Sequence, residues 1–324
     1  MSEARRSVSR RARLPLVVLG LAALCAAADL PAQPIPSTGS AAPGLTDEER
    51  VRQLVASASA HAGDFASKAS ALLAREHYVQ EVKTRPSSSS LAPMTDAGIT
   101  VLRRRLDSEV ALVLFPGELW LLARDILVVD GHAVPDNERI RLPAVHPASD
   151  EEALRTFRAL AQQGARYNIG GIRRNLNVPT LGLWLLTPSV VERFRFKRAG
   201  NETIGGERCE VLAYEEIREP YLFLAEGRSA PVHGRAWVKA DSGAIIRTEL
   251  VLEGRSESDR LVLPGGRGIV TVDYRLDPAF DTWVPQTMRE RYDAPESSDV
   301  IVGTATYSDY RRFEVHSRIV PRPQ

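Results

Sequence analysis

Three arginines and three asparagines crowd one short stretch, Arg166-Tyr-Asn-Ile-Gly-Gly-Ile-Arg-Arg-Asn-Leu-Asn-Val-Pro179. Arg166, Arg173 and Arg174 carry guanidinium forks, which match the geometry of carboxylates and phosphates. Tyr167, Asn168 and Asn175 add neutral hydrogen-bonding groups, and the apolar run Leu181 to Leu186 follows at once. Such a pattern suits a polar mouth over an apolar pocket, with Arg173 or Arg174 meeting an anionic or carbonyl head group. Helix-end and turn chemistry accounts for the same residues: Asn168 and Gly170 stop a helix, and Asn175 and Asn177 support the turn before Pro179. Arg311-Arg312 beside Tyr307 and Tyr310 either joins the mouth or forms a solvated strand face.

Familiar catalytic arrangements are missing from the sequence. Gly227-Arg-Ser229-Ala-Pro lacks the second glycine of a nucleophile elbow, and no lysine has a serine three residues before it. There is no H-E-x-x-H, no C-x-x-C and no P-loop. The histidines at 61, 77, 132, 146, 233 and 316 never fall at the spacing that puts two imidazoles on one metal. Gly265-Gly-Arg-Gly268 precedes no helix and reads as a turn, and the sequon Asn201-Glu-Thr203 reads as incidental. No catalytic residue, metal or cofactor is therefore expected. A hydrolase assembled from distant segments ranks third among the possible functions.

The first 28 residues have the form of an export signal. Arg5, Arg6, Arg10, Arg11 and Arg13 make the basic region, Leu14 to Leu24 the apolar one, and Ala26-Ala27-Ala28 a cleavage site. The apolar run is far below the ~20 residues that span a bilayer, so no membrane span is expected in the mature chain. Ser9-Arg10-Arg11 resembles a twin-arginine signal, but Arg13 stands where that signal has an apolar residue; Leu24 is too large to precede a lipidated Cys25. Cleavage near Ala28 implies a periplasmic or secreted protein with 37 basic and 40 acidic residues, a net charge of −3. That balance argues against nucleic acid as a partner. Cys209 is then the only cysteine, expected as a small buried hydrophobe. Nothing in the sequence specifies an oligomeric state.

Residues 29–45 are rich in Pro, Ala and Ser and read as a flexible leader. Thr46-Asp-Glu-Glu49 is a capping box, and apolar residues at helical spacing follow as far as Leu72 and Leu73, with Gly63 able to bend the helix. A second capping box at Ser149 and Glu152 opens a helix with Leu154, Phe157 and Leu160 on its buried face. Everything else is strand-like: Tyr78–Val82, Ile99–Phe115, Leu119–Val129, and nearly all of 192–315. The hairpin around Asp241-Ser242-Gly243 is the clearest unit. Val270, Val272, Tyr274 and Leu276 alternate with polar residues, as in a sheet with one buried face.

This arrangement resembles the unclosed β-barrel shared by LolA-type lipoprotein carriers and the sigma-factor regulator RseB. The likeness is carried by Arg235-Ala-Trp-Val-Lys-Ala-Asp-Ser-Gly-Ala-Ile-Ile-Arg-Thr-Glu249, by Val272-Asp-Tyr274, and by Ala305-Thr-Tyr-Ser-Asp-Tyr-Arg-Arg-Phe313. It implies one α+β domain over 46–317 with a tail at 318–324. A large curved antiparallel sheet, a half-barrel, would have helices covering its concave face. The apolar faces of helix 46–74 and of the helix after Ser149 would then line the concavity, which puts Phe65, Leu72, Phe157 and Leu160 beside the mouth residues. The implied function is non-catalytic binding of a lipid, acyl chain or lipoprotein. The alternative is a structural or regulatory envelope module of the RseB type, with those four side chains filling the cavity solid. The chain is longer than the lipoprotein carriers and lacks the acceptor's lipidated cysteine.

Overall fold

The computed structural model describes residues 45–69, 71–84, 99–115, 119–139, 164–170, 177–225, 228–253, 267–293 and 299–312. One helix, α1 (Asp47–Lys68), comes first and is followed by β1 (Ala71–Thr84), β2 (Ile99–Phe115), β3 (Leu119–Val129) and β4 (His132–Ala133). A single-turn helix α2 (Leu181–Trp184) leads to β5 (Phe194–Ile204), β6 (Glu207–Glu216) and the short pair β7 (Phe223–Ala225) and β8 (Arg228–Ala230). The chain closes with β9 (Val232–Lys239), β10 (Ile245–Glu253), β11 (Arg267–Asp277), β12 (Thr282–Asp293) and β13 (Asp299–Arg312).

Eleven strands make one antiparallel sheet in the order β4-β3-β2-β1-β13-β12-β11-β10-β9-β6-β5. Its two ends do not pair with each other, so the barrel is unclosed. Sequence neighbours pair by hairpins except where β6 meets β9, around the separate β7–β8 pair, and where the first strand β1 meets the last described strand β13, Tyr78 opposite Ala305. Tight turns follow the backbone chemistry of their residues. Asp130 and Gly131 both take positive φ between β3 and β4, as do Gly205 and Gly206 between β5 and β6.

Alternation sorts the sheet into two faces. Leu72, Ala74 and Tyr78 of β1, Leu106, Val110 and Leu112 of β2, and Val270, Val272 and Tyr274 of β11 all point into one hydrophobic cluster. Fully burying each valine or leucine of this set contributes roughly 1.5–3 kcal/mol. The opposite face carries cross-strand ion pairs such as Arg235–Glu249 and Arg247–Asp273, plus a small apolar patch of Cys209, Val211, Trp237 and Ile246. Cys209 is thus the buried hydrophobe expected of it. The alternation in β11 ends early: Leu276 is half exposed, beyond the register shift at Asp273/Tyr274.

The capping box at Thr46 forms as expected, with the Glu49 carboxylate accepting from the Thr46 amide at 2.9 Å. The helix does not reach residue 74. It ends at Lys68, and Leu72 belongs to β1. Ala69, Leu72 and Leu73 fit a helical spacing, but Leu72, Ala74 and Tyr78 fit the period of two equally well. Pairing with β2 on one side and β13 on the other favours the strand. Gly63 does not split α1, which runs unbroken through it. The expected helix after Ser149 lies outside the described residues.

Candidate functional site

Two segments share the apolar cluster with the sheet. Helix α1 contributes Leu54, Ala58, Ala62 and Phe65, and the stretch after Pro179 contributes Leu181, Leu183, Trp184, Leu185 and Leu186. Polar contacts set the line of α1: Arg50 bonds Glu210 on β6, the Ile245 amide donates to His61 Nδ1 at 3.4 Å, and Lys68 Nζ donates to the Asp281 carbonyl at 2.8 Å. Burial drives the His61 pKa down to about 4, the repulsion of Lys68 adding to it and the attraction of Asp64 opposing it.

The second segment acts as a plug on β10 and β11. Gly182 lies so close to β10 that a Cβ there would stand 2.6 Å from Thr248 Cβ. The Tyr274 hydroxyl donates to the Pro179 carbonyl at 3.0 Å and lies 3.0 Å from Thr248 Oγ1. Further along, the Ile169 amide donates to Gln80 Oε1 at 3.2 Å, and Gly170, at a φ of +87°, stands against Ile301 and Val82. The plug itself is incompletely matched. Thr180 Oγ1 and Trp184 Nε1 are buried without a hydrogen-bond partner among the described residues.

A polar stripe crosses the inward face beneath it. Arg124 on β3 holds both oxygens of Glu76 on β1, at 2.7 and 3.0 Å, and donates to the Asn177 carbonyl at 2.9 Å. The Tyr307 hydroxyl donates to the same Glu76 carboxylate at 3.0 Å. One strand pair away, Glu290 accepts from Tyr78 and, at 3.1 Å, from Tyr292. Burial alone would lower the Arg124 pKa, but Glu76 more than offsets it and the guanidinium stays charged. Burial, and then the charge of Glu76, push the Tyr307 phenol well above its ordinary range, so it remains a donor. Each named group here is occupied by another, an arrangement that holds a shape. These residues escaped the sequence reading, although the inward series Leu72, Ala74, Glu76, Tyr78, Gln80, Val82 carries two polar side chains where the pattern calls for apolar ones.

The candidate residues divide sharply. Phe65 and Leu72 both sit in the buried cluster, each about 1% exposed. Arg166 and Tyr167 belong to a short 3-10 turn, Ala165–Tyr167, which Asn168 caps; the Arg166 guanidinium lies 4.5 Å from the Tyr167 ring centroid and 3.5 Å from Glu138 Oε2. Arg104 donates to the Tyr167 carbonyl at 3.4 Å. The crevice beside them, between Arg124, Arg139 and Gly164, has a volume of only ~10 Å³. Arg173, Arg174, Asn175, Phe157 and Leu160 lie outside the described residues. Arg311 pairs with Glu109, the Arg312 guanidinium stands 5.8 Å from the Phe280 ring centroid, and the neighbouring Tyr310 donates to the Pro285 carbonyl at 2.6 Å. No described helix is long and apolar enough to cross a membrane.

No family model matches this chain. No curated protein matches it in sequence. Among solved structures it is similar to an outer membrane lipoprotein-sorting protein domain from Vibrio parahaemolyticus, at 12% identity over 81% of this chain and 93% of that one, with a TM-score of 0.35. It is similar also to a LolA superfamily protein from Nitrosomonas europaea, at 14% identity over 82% and 94% with a TM-score of 0.28. The MucA/MucB complex from Pseudomonas aeruginosa matches at 9% identity over 80% and 99% with a TM-score of 0.20.

Proposed function

We propose that this is a non-catalytic, extracytoplasmic binding protein that takes a lipid, an acyl chain or a lipoprotein against the inward face of its unclosed sheet. The plug at 177–190 gives way to the ligand. The export-type N-terminus supports the location, and the large apolar cluster on the inward face supports the ligand class. The decisive observation is the imperfect fit of the plug. Two of its donors, Thr180 Oγ1 and Trp184 Nε1, are buried unpaired among the described residues. An unmet buried donor costs about 1–3 kcal/mol. Replacing leucines of the plug by acyl methylenes exchanges one apolar surface for another, at ~0.8 kcal/mol per methylene on each side, so the exchange is close to balanced. The stretch 166–175 then serves as the polar mouth, with Arg173 and Arg174 meeting a head group.

Native mass spectrometry on protein from its own periplasm, with fluorescent fatty-acid titration of the purified chain, tests this. Retained lipid, or saturable uptake that alters Trp184 emission and weakens ten- to a hundred-fold in the Arg173→Gln/Arg174→Gln variant, is the expected result. A ligand-free mass together with no uptake would overturn it.

One observation favours the alternative, a regulatory or structural envelope module with a permanently filled face. Phe65, Leu72, Leu183, Leu185 and Leu186 are each no more than 1% exposed. If the plug never leaves, exchange of the Trp184 indole proton will be as slow as global unfolding; a displaceable plug exchanges faster.

A further inference from the structure

A trough of about 680 Å³ crosses β5, β6, β9, β10 and β11, lined chiefly by side chains of the outer face. Strand register sets its chemistry. One row runs Lys197, Ala213, Arg235, Glu249 across four strands, and the next runs Arg195, Glu215, His233, Val251. The carboxylates in and beside these rows are spoken for. Glu215 meets Arg195 at 2.9 Å, Glu249 meets Arg235 at 2.9 Å, and Glu253 meets Arg267 at 3.0 Å. Four cations thus face three carboxylates, and Lys197 is the cation with no ion-pair or hydrogen-bond partner among the described residues.

The space beside Lys197 is open for a simple reason. Ala213 stands between it and Arg235 and offers only a methyl group. Strands ~4.8 Å apart put the two basic residues about 10 Å apart at their Cα atoms, so the long Lys197 side chain can reach over the alanine toward the Arg235 guanidinium. Arg235 is already held, by Glu249 and by its place 4.9 Å from the Trp237 ring centroid, and loses little freedom on meeting a ligand. Val232, Val251 and Phe196 give the trough an apolar component as well.

We propose that this outer trough binds a phosphate group, seated over Ala213 between Lys197 and Arg235. The phosphate belongs either to a small soluble ester or to a lipid head group. The site is separate from the plugged face and does not depend on plug movement.

The full chain would be titrated calorimetrically with inorganic phosphate and sedimented with vesicles of phosphatidylglycerol or of phosphatidylcholine. Lys197→Gln removes the unpaired cation at an exposed position, and Ala213→Asp places a carboxylate in the seat. Expected is saturable phosphate binding, or retention by phosphatidylglycerol but not by phosphatidylcholine, weakened at least ten-fold in both variants while their melting temperatures stay at the wild-type value. Phosphate binding without vesicle retention identifies a soluble ester, and retention on the anionic vesicles identifies a lipid head group. Failure of both probes to bind, or binding unchanged in Lys197→Gln, overturns the proposal. If Ala213→Asp lowers the melting temperature, the Lys197 variant alone decides.

Discussion

Arg124 and Glu76 form a two-pronged ion pair across the strand between them, at 2.7 and 3.0 Å, on the buried face of the sheet. The Glu76 side chain is fully enclosed and that of Arg124 is about 10% exposed. Such a pair adds little net stability over an apolar one, since desolvation consumes most of the attraction. Breaking it is another matter, because the surviving charge is stranded. Arg124→Met and Glu76→Leu should each cost about 3–5 kcal/mol, and the double variant clearly less than their sum. Urea unfolding of the three proteins measures this. Single variants within 1 kcal/mol of wild type would mean that the pair holds nothing in place.

Two glycines should respond to alanine with opposite signs. At Gly303, a Cβ would lie 2.7 Å from Glu290 Cγ and 2.9 Å from Tyr78 Cε2, both in the packed interior. Overpacking there should cost about 1–3 kcal/mol. At Gly63, inside α1, the nearest atom would be Pro188 Cδ at 3.5 Å, an ordinary contact. Alanine there should raise stability by about 0.5–1 kcal/mol, because glycine is a poor helix former. Thermal melts of the two variants moving in the same direction would contradict this packing.

The strands, the turns and the first helix cap were legible because each rests on local chemistry. Thr46 with Glu49 and the Asp241 hairpin need only their own neighbours. Leu72 was misplaced because helical and strand spacing coincide over a few residues, and only β2 and β13, from distant parts of the chain, decide between them. The polar stripe was illegible for a related reason. Glu76, Arg124 and Glu290 look like solvated strand residues until the register puts them on the inward side, where Asn177, Tyr307 and Tyr78 meet them. The trough was hidden more deeply still: that Lys197 faces Ala213, and Ala213 faces Arg235, follows from pairing across three strands.

His61 makes the fold sensitive to mild acid. Burial holds its folded-state pKa near 4, below the ordinary 6.5, so the imidazole stays neutral in the fold while the unfolded chain takes up a proton. Between those two values the unfolded state binds more protons, and stability therefore falls as pH drops through the window. The loss approaches roughly 3 kcal/mol by pH 4 and stops growing below it. His61→Gln removes the titration and keeps an acceptor for the Ile245 amide. Its unfolding free energy should fall less steeply from pH 6.5 to 4 than that of the wild type, and matching slopes would assign the acid sensitivity elsewhere.

Tyr274 is the residue best placed to separate a gate from a fixed filling. Its hydroxyl holds the Pro179 carbonyl at the start of the plug, at 3.0 Å, and touches Thr248 on β10. Tyr274→Phe removes both contacts without changing the apolar volume, at a cost of about 1–2 kcal/mol for the partners left unmet. Loss of that anchor should loosen the plug specifically, so fluorescent fatty-acid uptake should rise. Tyr292→Phe is the matched control, because Tyr292 is equally buried and donates to Glu290 at 3.1 Å, in a separate small cluster with Val82, Ile169 and Ile301. A comparable stability loss in both variants, with uptake increased only in Tyr274→Phe, is expected of a displaceable plug. Equal uptake in the two would show that the inward face opens only by general loosening, and the plug would then be ordinary core.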